Sequence, residues 1–61
     1  MTTTYSYHCG GNKYVVEQRS SRVIVWVWGW VGQNKVGDAR DLVEAMALIK
    51  SHAGSNDLKT A

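Results

Sequence analysis

The chain has 61 residues, one cysteine, no proline and a formal net charge of +2. A chain this short buries only about 60% of the surface its unfolded form exposes, which allows one small core and excludes a multi-domain enzyme. Cys9 alone closes no intrachain disulfide, and no zinc-ligand spacing occurs. Small domains without such staples commonly self-associate, so a homodimer is the expected partner state.

The charge is unevenly placed. Residues 1–37 hold Lys13, Arg19, Arg22 and Lys35 against Glu17, a net +3, whereas residues 38–61 hold three cations against four acids. All six aromatic residues, Tyr5, Tyr7, Tyr14, Trp26, Trp28 and Trp30, lie in the basic part. The opening Met1-Thr2-Thr3-Thr4 leads into no basic and apolar leader, so no signal peptide is expected. The longest apolar stretch, Val23 to Val31, is far short of the roughly 20 residues of a membrane helix, and a cytoplasmic location is expected.

In chain order, residues 3–8, 13–18 and 22–31 read as strands, rich in Thr, Tyr, Val, Ile and Trp between turn formers. Gly10-Gly11-Asn12 separates the first two and tolerates positive φ at little cost. Ser20-Ser21 separates the second from the third, and residues 32–37 read as a loop. Asp38 suits a helix N-cap, with Asp41 in the first turn. Leu42, Ala45, Met46 and Ile49 then follow the i, i+3, i+4, i+7 spacing of one buried stripe, with Gly54 as a C-cap. The expected fold class is α+β: a three-stranded antiparallel sheet in a β-β-β-α meander, with one C-terminal helix packed on one face. Residues 1–54 would form this domain and 55–61 a flexible tail.

A turn at Ser20-Ser21 pairs strands two and three so that Tyr14, Val16 and Gln18 share a face with Val23, Val25, Val27 and Gly29. That smooth face is the natural floor for Leu42, Met46 and Ile49, with Gly29 admitting the helix backbone. The opposite face carries Lys13, Val15, Glu17 and Arg19 beside Arg22, Ile24, Trp26, Trp28 and Trp30, and charges are rarely buried unpaired. A two-residue turn at Gly10-Gly11 puts Tyr5 and Tyr7 on the core face and Thr4, Ser6 and His8 on the other; a three-residue turn swaps them. Reversed faces, with the tryptophans as core, are the competing arrangement.

Alternate residues of a strand project to one side, so Trp26, Trp28 and Trp30 form a row about 7 Å apart per step. Flanked by Lys13, Arg19 and Arg22, the row offers π-faces for unstacked bases and cations for phosphates. The same row suits self-association, since exposed apolar patches seldom stay bare, and strand three is a sheet edge in the order 1-2-3. Arg19 and Arg22 at the turn fit either an anionic partner or a solvated hairpin tip beside Glu17. His8 and Cys9, adjacent on a strand, point to opposite faces and make no dyad with each other. Gly10-Gly11 lacks a phosphate-loop spacing. No catalytic residue, metal ligand or cofactor is expected.

Trp28-Gly29-Trp30-Val31-Gly32 resembles the Trp-Gly-Arg-x-Gly signature of WGR domains, and the similarity spans roughly residues 13–50. Tyr14 and Gln18 resemble the strand before that signature, and Glu44-Ala45 the helix after it. The arginine of the signature is Trp30 here. The resemblance implies a nucleic-acid contact at Trp28 and none carried over to Trp30. The expected function is therefore a small, self-associating, non-enzymatic module. It would engage nucleic acid, or a nucleic-acid-processing machine, through Trp26, Trp28, Trp30, Lys13, Arg19 and Arg22. The alternative is a small inhibitor or adaptor, of the kind carried by phages and mobile elements, that presents the same face to a protein.

Overall fold

A computed structural model describes residues 2–29 and 31–60. The fold is α+β, with β1 (Thr3–Cys9), β2 (Asn12–Gln18), β3 (Val23–Gly29), β4 (Gly32–Ala39), α1 (Leu42–Ala53) and β5 (Leu58–Thr60). The strands form one antiparallel sheet in the order β4-β3-β2-β1-β5. One helix on an antiparallel sheet matches the expected class, but the sheet has five strands in place of three.

Both extra strands fall where composition argues against them. The segment expected as a loop forms β4, although its Gly, Asn and Asp residues are poor strand formers. Its pairing with β3 is a tertiary effect: the strand richest in Val, Ile and Trp accepts a partner on its open side. The segment expected as a flexible tail supplies β5, which pairs with β1 through Leu58, Lys59 and Thr60. As a result β3 is interior, between β2 and β4, and is not a sheet edge.

The extra strand length also moves the helix start. Ala39 pairs with Val23 and is buried, so Asp38 belongs to β4 and caps nothing. Asp41 is the N-cap, accepting the Glu44 N–H at 2.9 Å. At the other end Gly54, at φ 67°, donates its N–H to the Lys50 carbonyl at 2.9 Å.

Two hairpins set the faces. Cys9 pairs with Asn12 across a two-residue turn whose glycines, Gly10 and Gly11, have φ of 58° and 83°, the sign a type I′ turn requires. Gln18 pairs with Val23, and the Arg19 N–H donates to the Arg22 carbonyl at 2.8 Å to close the second turn. Tyr7, Cys9, Tyr14, Val16, Val23, Val25 and Ala39 therefore meet Ala45 and Ile49 of α1 in the core. Leu42, Met46, Leu48, Ala53, Val27, Val36 and Leu58 pack around them. The arrangement with tryptophans as core is excluded for Trp26 and Trp28, which lie on the other face; Trp30 lies outside the described residues.

Gly29 does not admit the helix, since a side chain there would approach only Asn34 and the Gly32 carbonyl. The close approach belongs to Gly10, where an added Cβ would sit 3.1 Å from the Ala53 Cβ and 3.2 Å from its carbonyl oxygen. Buried polar groups find partners at the same end. The Tyr14 hydroxyl lies 2.9 Å from His52 Nδ1, and the Cys9 thiol donates to the Ser55 carbonyl at 3.3 Å. Among the described residues no helix is long and apolar enough to cross a membrane.

Gly10 and Gly11 separate two costs. Gly11→Ala meets only the positive-φ penalty, because nothing lies within 4 Å of its added Cβ. Gly10→Ala meets that penalty and the collision with Ala53, so it is expected to destabilise by clearly more than about 1 kcal/mol. Urea denaturation of both variants checks the order; equal losses would remove the helix contact as a constraint.

Candidate functional site

The face of the sheet away from α1 is built by register. From β2 it receives Lys13, Val15 and Glu17, and from β3 Ile24, Trp26 and Trp28. From β1 come Thr4, Ser6 and His8, the cross-strand partners of Glu17, Val15 and Lys13. β5 adds Lys59, opposite His8.

A bulge in β4 decides what that strand contributes. Val25 pairs with Gly37 but Trp26 pairs with Lys35, leaving Val36 unpaired between them. The extra residue shifts the alternation of β4 by one. Gly37 and Ala39 remain under the helix, Val36 packs on the core, and Lys35 and Gln33 come up opposite Trp26 and Trp28.

The face has two unlike ends. At the β2–β3 turn Arg19 holds Glu17 through Nε at 3.1 Å and a terminal guanidinium nitrogen at 2.8 Å. Lys35 reaches Asp38 at 3.2 Å nearby. Between these pairs stands Ile24, cross-strand partner of both Glu17 and Asp38, only 7% exposed yet outside the core cluster. Long charged side chains shield apolar surface with their stems, which accounts for that burial.

Trp26 occupies the middle, between Val15 and Lys35. It is half-buried, and its indole nitrogen is buried with no hydrogen-bond partner among the described residues. Such an orphaned donor costs about 1–3 kcal/mol.

The far end is open and basic. Trp28 is 47% exposed and sits directly across from Lys13, which is exposed and has no ion-pair partner among the described residues. Of the six residues the sequence suggests, the structure thus brings Trp28 and Lys13 together, with Trp26 next to them. Arg19 and Arg22 sit at the opposite end, about 20 Å along the strands from Lys13. Trp30 lies outside the described residues.

His8 and Lys59 complete the basic end and were absent from the expected set. His8 could have been found, since a two-residue Gly10-Gly11 turn places it on this face. Lys59 carried no local signal, because its position depends on β5 docking against β1.

His8 is exposed on this face and Cys9 is buried on the other, the opposed orientation expected for strand neighbours. Among the described residues no three His, Cys, Asp or Glu side chains converge as a metal ion would require. Comparison of the chain with protein-family models, curated proteins and solved structures gives no match.

Burial separates structural from free residues on this face. Ile24→Ala is expected to cost about 2–5 kcal/mol, as buried aliphatic truncations do. Trp28→Ala should cost less, about 1 kcal/mol, because nearly half of its surface is already exposed. Chemical denaturation of both variants decides; a large loss at Trp28 with none at Ile24 would show the tryptophan to be a packing residue.

Proposed function

We propose that this protein is a small non-enzymatic binding module that engages single-stranded nucleic acid, alone or within a nucleic-acid-processing machine. Its surface is the helix-free face of the sheet. One observation carries the reading: a half-exposed tryptophan, Trp28, stands directly across from an unpaired lysine, Lys13, on a face no helix covers. That pair supplies the two things an unstacked nucleotide offers to bind, a π-face for its base and a cation for its phosphate.

Magnitudes set the character of the binding. Stacking on one tryptophan contributes about 1–3 kcal/mol per base and reads no base identity. Two or three phosphate contacts on a single strand, made at the basic end of the face, give a slope near −1.4 to −2 in log affinity against log salt. The module is thus a weak, salt-sensitive and sequence-tolerant binder. In oligonucleotide titrations, Trp28→Ala should lose about five-fold or more in affinity, the low end of the stacking range, and keep the parent salt slope. A folded protein that binds no oligonucleotide even at about 50 mM salt would end this reading.

A second reading draws on the other half of the same face. Around Ile24, Val15 and Trp26 the surface is apolar, and the acids Glu17 and Asp38 are already paired with Arg19 and Lys35. That half suits a protein, either a second copy of this chain or the target of a small inhibitor or adaptor of the phage or mobile-element kind. Self-association would go through the face, because the edges discourage strand pairing. β4 is bulged and carries the Lys35–Asp38 pair, and β5 is only three residues long. Sedimentation at micromolar concentration is expected to show a homodimer that Trp26→Ala weakens. A single species of 6.8 kDa would remove the dimer from the proposal.

A further inference from the structure

The register of the sheet places five residues, one from each strand, in a single row across the open face. Gln33 of β4 pairs with Trp28 of β3, Trp28 with Lys13 of β2, Lys13 with His8 of β1, and His8 with Lys59 of β5. All five are exposed. Neighbouring strands lie about 4.8 Å apart, so the row from Trp28 to Lys59 is about 14 Å long.

The row contains no carboxylate. The acids of this face, Glu17 and Asp38, are at its other end, and Arg19 and Lys35 already occupy them. The groups facing His8 are Lys13 from β2 and Lys59 from β5; α1 lies on the other side of the sheet. Among the described residues the acid paired with the row is Asp57, 3.8 Å from the Lys59 ammonium, with both side chains more than two-thirds exposed. Such a pair is worth little in water. Like charges directly opposite on neighbouring strands repel, so this row gains when an anion covers it.

Resting on the single-strand reading above, we propose that the bound strand runs across the β-strands along this row. One base stacks on Trp28, and the phosphates beside it lie over Lys13, His8 and Lys59. Arg19 and Arg22 are outside the path, and Arg19 is in any case held by Glu17. His8 lies between the two lysines in the phosphate path, where its exposed ring can donate an N–H to a phosphate oxygen.

The test is a fluorescence titration of the full chain with oligothymidylate at several salt concentrations. Folding of each variant is checked by circular dichroism. Lys59→Gln should make the salt slope shallower by about 0.7, and His8→Ala should weaken binding. Arg22→Gln should leave slope and affinity unchanged. If oligothymidylate binds but His8→Ala leaves affinity unchanged, or Arg22→Gln flattens the slope while Lys59→Gln does not, the path is wrong and the single-strand reading stands. Polyglutamate binding as tightly as oligothymidylate, with no loss on Trp28→Ala, would make the occupant an acidic polypeptide and overturn the path. No binding by folded parent protein at about 50 mM salt would overturn both.

Discussion

Two tight turns control which side chains this sheet shows to its helix and which to its surroundings. Side chains on a strand alternate with a period of two, so one residue more or less at either turn would exchange the faces. At Gly10-Gly11 the geometry rests on backbone positions that other residues rarely adopt. At the β2–β3 turn it rests on the hydrogen bond between Arg19 and Arg22. With both turns in place, Tyr7, Tyr14, Val16, Val23 and Val25 have no alternative but the floor under α1. Trp26 and Trp28 then have no alternative but the far side. The open face is thus a by-product of the same parity that builds the core.

A domain of this size has little surplus burial, and it leaves two tryptophans off its core. The middle of the open face recovers part of the loss, with Ile24 buried among paired charges and Trp26 half-buried, at the expense of an unpartnered indole nitrogen. Trp28 recovers less, being nearly half exposed beside a row of cations. Charge follows the same division. On this face the Arg19–Glu17 and Lys35–Asp38 pairs lie where apolar side chains need covering, and Lys13, unpaired among the described residues, lies where Trp28 is bare. A surface built this way has one end covered by its own salt bridges and one end where Trp28 and Lys13 stand exposed.

The elements that complete the face come from outside the obvious strands. β4 holds Gln33 and Lys35 opposite the tryptophans only because Val36 bulges out of the ladder. β5 holds Lys59 opposite His8 only because the chain returns after Gly54 to pair with β1. The C-terminal end of the helix is secured where the chain turns back. His52 meets the Tyr14 hydroxyl, Ala53 packs against Gly10, and Ser55 accepts from the Cys9 thiol. These contacts set where β5 begins, so the last residue of the cationic row depends on packing on the opposite side of the sheet.

Local pattern by itself determined the parts whose physics is local. The alternation in β1, β2 and β3, a tight turn at Gly10-Gly11, the stripe of Leu42, Ala45, Met46 and Ile49, and the Gly54 cap all follow from period, turn chemistry and capping. The two-residue length of the glycine turn, and the choice of the expected faces over reversed ones, came from the structure. Tertiary structure alone decided the rest. Gln33-Asn34-Lys35 becomes a strand because β3 has an open side to pair, and the cap moves from Asp38 to Asp41 because Ala39 is spent opposite Val23. Lys59 reaches the row opposite His8 because β1 has a free edge. Arg19 and Arg22, close in sequence to the tryptophans, end about 20 Å from Lys13 because an antiparallel hairpin sends its turn away from the ends of its strands. Such outcomes depend on pairing between residues far apart in the chain, and a non-local pairing leaves no period or turn signal in either partner.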